Sequence, residues 1–125
     1  MVEEHESKAL RVFLETVSRP VSSELSLTES ARAVQRRVAA GGADDLPARL
    51  AEVFRDLDLW GLDRGLLLRA GRVEPTGLRT LDAIHLATAL SIPQVLASFV
   101  SYDRRQLDAA RRAGLETASP GAGAA

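Results

Sequence analysis

Three acidic residues, Glu29, Asp82 and Asp103, lie where predicted strands give way to helices or where a helix begins. Asp82 belongs to a stretch, residues 78–90, that is otherwise almost wholly apolar. A buried carboxylate costs several kcal/mol unless it is paired or coordinates a metal ion. Convergent carboxylates supply the oxygen ligands and the negative charge that a hard divalent cation such as Mg²⁺ or Mn²⁺ requires. A cation held in this way activates water and binds a scissile phosphate.

Each of the three acids also has an explanation that involves no ligand. Residues 26–29, Ser-Leu-Thr-Glu, fit a capping box in which Glu29 only satisfies a backbone N–H. Asp103 with Gln106 fits a helix cap, and Asp82 could simply favour the dipole of the helix in which it lies. The prediction of a site therefore depends on the joint placement of the acids at the carboxyl edge of a parallel sheet, where ligand sites form.

The helices and strands that must position these acids follow from the spacing of apolar residues. Helices are predicted at residues 2–17, 26–42, 46–57, 64–70, 80–91 and 104–114. Strands are predicted within residues 19–26, 57–62, 97–103 and 115–118. Because strands alternate with helices, the pattern predicts an α/β fold in which helices flank both faces of a parallel sheet.

The chain is predicted to form one domain over residues 1–117, followed by a disordered tail at 118–125. The tail is low in complexity and has nothing to bury. One face of the helix at 26–42 is predicted to be buried, and it consists of Leu27, Ala31, Val34 and Val38.

Composition excludes several classes of protein. With 125 residues, of which 46% are hydrophobic and 26% charged, the sequence is typical of a soluble globular domain. No apolar run approaches the roughly 18 residues of a membrane span, so we expect no membrane association and, by default, the cytoplasm. The absence of cysteine excludes disulfides, thiolate ligands and thiol nucleophiles. A net charge of −1 gives no global basic field.

Three segments carry a resemblance to a known family. They are "VSSELSLTESARAVQRR", "LRTLDAIHLATAL" and "FVSYDRRQLDAARRAGL". In this order they resemble three successive motifs of the PIN domain, and they are most similar to the VapC-type toxins of bacterial toxin–antitoxin pairs. The likeness runs over about residues 2–117. It implies a parallel sheet between helices, an acid cluster that binds Mg²⁺ or Mn²⁺, cleavage of RNA phosphodiesters, a homodimer and a VapB-like antitoxin.

The resemblance also assigns roles to individual acids. Glu29 matches the family's acid after the second strand, Asp82 matches the acid of the "LDA" motif, and Asp103 matches the acid of the "YD" motif. All three are therefore expected to bind the metal ion and to act in catalysis.

Residues near two of these acids are expected to support them. Ser101 matches a small hydroxyl residue that often precedes the last acid of the family pattern. Arg104 and Arg105 follow that acid, where contacts with RNA phosphates would be useful. His85 lies three residues after Asp82 on the same helix face, where it either borders the acid pocket or packs in the core.

One motif of the family pattern is missing. The pattern starts with a strand of the form "hhhhDTSAL", where h is apolar, whereas this sequence has no aspartate before Asp44. That strand normally lies in the middle of the sheet and carries a metal ligand. Its absence leaves two strand edges unpaired unless those strands close up on each other. We expect a start site assigned too late and an upstream apolar strand ending in aspartate; the alternative is genuine loss of the strand in a decayed or repurposed gene product.

The predicted function is that of a VapC-like, Mg²⁺-dependent endoribonuclease. The alternative is a catalytically inactive, truncated PIN-like remnant that acts only as a binding module for an antitoxin or a partner subunit. A third interpretation is an unrelated α/β domain in which every one of the acids is a helix cap.

Overall fold

The structure is a computed structural model, and it describes residues 8–10, 12–13, 20–42, 44–92 and 98–122. The predicted helix at 2–17 lies mostly outside these residues, and its described parts, 8–10 and 12–13, are helical. The other elements in chain order are β1 (Val21–Ser23), α1 (Leu25–Ala39), α2 (Leu46–Arg55), β2 (Asp58–Trp60), α3 (Arg64–Ala70), α4 (Thr80–Ser91), β3 (Phe99–Val100), α5 (Arg104–Arg112) and β4 (Thr117–Ala118). No helix among the described residues is long and apolar enough to cross a bilayer.

The strands pair in parallel, as the alternation of strands and helices predicted. Val21 of β1 lies opposite Asp58 of β2, and Phe99 of β3 lies opposite Thr117 of β4. Among the described residues the strands form two separate two-stranded sheets instead of the single sheet expected. The α/β class is confirmed, while the absence of the family's first strand stays a prediction.

Contacts between Cα atoms divide the chain into two compact units. One is the segment 19–62, which holds β1, α1, α2 and β2. The other combines 63–125 with the described residues of 1–18, and it holds the remaining elements. The predicted domain boundary at residue 117 stays a prediction.

The hydrophobic core of the second unit surrounds α4, whose sequence is the apolar stretch noted above. Leu86 of α4 has no exposed surface, and Phe99 of β3 is 9% exposed. Burying a leucine or phenylalanine side chain contributes about 1.5–3 kcal/mol. The buried members of this core are Leu78, Ala83, Leu86, Ala89, Phe99, Ala109 and Ala110. This packing joins α4, β3 and α5, the elements on which Asp82 and Asp103 lie.

The unit 19–62 contrasts with this core, because neither α1 nor α2 has a fully buried residue. Leu27 and Val38, predicted to face a core, are 43% and 39% exposed. That part of the prediction is wrong. Within this unit α1 packs against α2, and a single helix with a two-stranded sheet offers too little apolar surface to cover the whole predicted face.

The start of α3 and the end of α5 are formed as their local sequence predicts. Asp63 is the N-cap of α3, and its Oδ1 accepts a hydrogen bond of 2.8 Å from the N–H of Leu66. Gly114 follows α5 with a φ of +95°, a conformation that glycine adopts without a steric penalty.

Residues after β4 contact the loop that follows β3. The hydroxyl of Ser119 donates to the carbonyl of Ser101, and the hydroxyl of Tyr102 donates to the carbonyl of Pro120 at 2.6 Å. Ala118, which the sequence placed both at the end of the predicted strand 115–118 and at the start of the tail, lies in β4. Residues 123–125 of the predicted tail lie outside the described residues.

Candidate active site

Asp82 lies in the first turn of α4 and is half-buried. Arg79 is the N-cap of this helix, which has no side-chain cap. Among the described residues, the Asp82 carboxylate makes neither a hydrogen bond nor an ion pair. The helix dipole favours a negative charge at this position, but no group of the described segments bonds to the carboxylate oxygens. The carboxylate is therefore available to a ligand.

Asp103 lies at the junction between β3 and α5 and is the N-cap of α5. Its Oδ1 accepts hydrogen bonds from the backbone N–H of Arg105 at 2.8 Å and from that of Gln106 at 3.3 Å. The predicted capping role is therefore confirmed. Both bonds use the same oxygen, so capping and binding of a ligand through Oδ2 are compatible.

A side-chain network built on Gln106 connects this junction to α4. Gln106 is 8% exposed, and its Oε1 accepts a hydrogen bond of 2.8 Å from the Ser101 hydroxyl. Its Nε2 donates to the backbone carbonyl of Asp82 at 3.4 Å, a long and therefore weak bond. The Ser101 hydroxyl also accepts from the N–H of Asp103 at 3.1 Å. Gln106 thus joins the two elements that carry Asp82 and Asp103.

Gln106 is the residue of this site that sequence reasoning missed. Its spacing from Asp103 indicated a cap, and that signal concerns only the backbone N–H of Gln106. The partners of its side chain belong to other elements, so only the fold reveals them.

Replacing Gln106 with leucine is expected to lower the free energy of unfolding by about 1–3 kcal/mol, because the Ser101 hydroxyl and the Asp82 carbonyl lose their partner. Urea unfolding followed by circular dichroism measures the change. Gln35→Leu is the matched control, since Gln35 is exposed on α1 and its substitution should cost at most about 0.5 kcal/mol. Equal losses in the two variants would show that the network contributes nothing.

Glu29 lies in the second turn of α1, within the unit 19–62, and is half-buried. The capping-box alternative for this residue is wrong, because α1 begins at Leu25 and not after Ser26. The hydroxyl of Ser23 accepts from the N–H of Leu25 at 2.9 Å instead. The convergence of Glu29 with Asp82 and Asp103 stays a prediction.

The remaining predicted residues lie on the same two helices as the acids. Arg104 and Arg105 are exposed at the start of α5. His85 is half-buried on α4, one turn after Asp82. Their predicted roles stay predictions.

A divalent cation such as Mg²⁺ or Mn²⁺ needs several hard oxygen ligands. Carboxylate oxygens of Asp82 and Asp103 are hard ligands of the kind that Mg²⁺ or Mn²⁺ prefers, and Gln106 joins the elements on which both acids lie. Among the residues that the structure describes, however, no three histidine, aspartate or glutamate side chains are grouped closely enough to hold a metal ion.

Comparison with known proteins identifies the fold family. The family model of the PIN domain matches residues 2–112, nearly the whole chain. The chain belongs to the PIN domain family. The resemblance found in the three sequence motifs is therefore confirmed, and Asp82 and Asp103 lie within the matched part of this PIN domain. No solved structure matches the chain at a significant level.

Curated relatives of this PIN domain are VapC proteins of Mycobacterium tuberculosis. Ribonuclease VapC47 of strain CDC 1551 / Oshkosh is 35% identical over 98% of this chain and 90% of its own length. Ribonuclease VapC46 of strain H37Rv is 40% identical over 95% of this chain and 88% of its own length. Ribonuclease VapC35 is 37% identical over 94% of this chain and 87% of its own length. These similarities support the VapC-type assignment within the family.

Proposed function

We propose that this chain is a VapC-like toxin, an endoribonuclease that hydrolyses RNA phosphodiester bonds with a divalent metal ion. The observation that carries the proposal is the Asp82 carboxylate, which is half-buried in an apolar helix and has no partner among the described residues. Carboxylate oxygens that have no protein partner in such a place can serve as ligands of a hard divalent cation. The names of the VapC relatives support RNA as the substrate.

Within this proposal each residue has a defined task. Asp82 and Asp103 hold Mg²⁺ or Mn²⁺ through carboxylate oxygens, and Glu29 is the third proposed ligand. When bound, the ion activates water and stabilises charge on the scissile phosphate. Ser101 fixes the backbone at Asp103 through the hydrogen bond that its hydroxyl accepts. Arg104 and Arg105 are placed to contact phosphates.

We also propose that the protein pairs with a VapB-like antitoxin and forms a homodimer in the cytoplasm. Exposed apolar side chains on two neighbouring helices support the presence of protein partners. Leu67 and Leu68 of α3 are 45% and 61% exposed, and Leu90 of α4 is 44% exposed. Contiguous exposed apolar surface marks sites of protein association.

The second candidate function is that of a catalytically inactive PIN-like binding module. It is favoured by one observation, the lack of a group of three metal-binding side chains among the described residues. Such a protein would still bind an antitoxin or a partner subunit through its apolar surface.

Metal removal discriminates between the two functions. The purified chain is expected to cleave a mixed RNA substrate with Mg²⁺ or Mn²⁺ present and to lose this activity in excess EDTA, because carboxylates alone cannot stabilise charge on the phosphate. Adding either cation in excess of the chelator should restore cleavage. Equal cleavage with and without EDTA would exclude the metal mechanism. Absence of cleavage with either cation would favour the binding module.

A further inference from the structure

A groove of about 290 Å³ lies between α5 and the loop that precedes α4. The volume is close to the lower limit of the roughly 300–1,000 Å³ of pockets that enclose small molecules. Its lining consists of Pro75, Gly77, Leu78, Arg105, Asp108, Ala109 and Arg112. Apolar atoms form one side of the groove, and arginines of α5 form the other.

Arg105 and Arg112 are seven residues apart, so they lie two turns apart on one face of α5, at a distance of about 10 Å along the axis. Within the described part of the chain, neither guanidinium has a hydrogen-bonding or ionic partner. Asp108, which lies between them, is 3.6 Å from the guanidinium of Arg111. The negative charge of Asp108 is therefore partly neutralised by Arg111. The positive charges of Arg105 and Arg112 have no such partner among the described residues.

The groove begins beside the candidate active site. The backbone N–H of Arg105 donates to the Asp103 carboxylate at 2.8 Å. On the other side, Leu78 lies two residues before α4, whose first turn carries Asp82. A polymer that crosses Asp82 and Asp103 can therefore continue along the groove towards Arg112.

We propose that this groove binds the sugar–phosphate backbone of RNA next to the cleavage site, with Arg105 and Arg112 each contacting a phosphate. The proposal rests on the ribonuclease function proposed above. The planar guanidinium matches the geometry of phosphate oxygens, while the half-buried Pro75 offers an apolar surface to a sugar or base. RNA is favoured over an acidic peptide, because the ribonuclease function proposed above already brings an RNA backbone to Asp82 and Asp103, and Arg105 follows Asp103 directly on α5.

RNA binding in excess EDTA, where no metal-dependent cleavage occurs, tests the proposal. The probe is a short fluorescein-labelled RNA of random sequence, and fluorescence anisotropy gives the Kd over a series of salt concentrations. Arg105→Gln and Arg112→Gln are each expected to weaken binding severalfold and to reduce the slope of log K against log salt by about 1. Arg72→Gln is the control, since Arg72 is exposed outside the groove and carries the same charge.

Each outcome supports or overturns the groove as an RNA site. Equal losses in Arg72→Gln and in the two groove variants would show that only overall charge matters. Displacement of the RNA by poly-glutamate in the wild type but not in Arg112→Gln would assign the groove to an acidic peptide. A wild type that cleaves RNA while Arg105→Gln and Arg112→Gln keep its Kd would overturn the groove and leave the proposed function standing. A wild type that neither binds nor cleaves RNA would overturn both.

Discussion

Asp82→Asn is expected to lower the rate of metal-dependent RNA cleavage by about 100- to 1,000-fold. The asparagine keeps the shape of the side chain and removes the charge that we propose as a ligand of the cation, whose stabilisation of the transition state would amount to several kcal/mol. Affinity for Mn²⁺ should fall at least about tenfold, measured by isothermal titration calorimetry. The fold should persist, since the interaction of Asp82 with the helix dipole contributes only about 0.3–1 kcal/mol.

The matched control for this variant is Asp45→Asn. Asp45 is an exposed acid before α2 whose carboxylate lies 3.9 Å from Arg49, and exposed ion pairs of this kind contribute little. Its removal should leave cleavage and Mn²⁺ affinity unchanged. If Asp82→Asn kept the wild-type Mn²⁺ affinity, the assignment of Asp82 as a metal ligand would be wrong, whatever the effect on the rate.

Leu86→Ala is expected to lower the free energy of unfolding by about 3–5 kcal/mol. Leu86 has no exposed surface and lies in the middle of the apolar core of the second unit, so the truncation leaves a cavity. A change of this size corresponds to a decrease of roughly 10–20 °C in Tm for a domain of this length. Urea unfolding and differential scanning calorimetry measure the two quantities.

Leu81→Ala removes the same atoms from an exposed position of the same helix, where Leu81 is 45% exposed. Its cost should be about 1 kcal/mol or less. Comparable losses in the two variants would mean that α4 is not the centre of the core.

The bounds of a helix were predicted well from the sequence where a capping residue, a glycine or a proline lies at its terminus. The bounds of α3 follow from Asp63, whose carboxylate caps the first turn, and from Gly71, which ends the helix. The bounds of α4 coincide with the predicted segment 80–91, because Pro93 prevents the helix from continuing. Such signals act over a few residues, so a sequence reveals them without knowledge of the fold.

Features that depend on distant parts of the chain were predicted less well. One local signal also failed: Ser26 carried the usual sign of a helix start, yet α1 begins at Leu25, whose N–H donates to the Ser23 hydroxyl. The division of the strands into two sheets depends on which backbone edges meet, and apolar spacing does not encode that choice. In the candidate site, family motifs indicated the acids, whereas the side-chain contacts of Gln106 required tertiary structure.

The hydrogen bonds from Ser119 to Ser101 and from Tyr102 to Pro120 have a practical consequence for protein engineering. The low complexity of residues 118–125 suggests that the chain could be shortened after residue 117, or that an affinity tag could be fused there. Either manipulation would remove Ser119 and Pro120, whose hydrogen bonds fix the loop between β3 and Asp103. A purification strategy that preserves the site should therefore keep residues 118–122 intact and place any fusion beyond them.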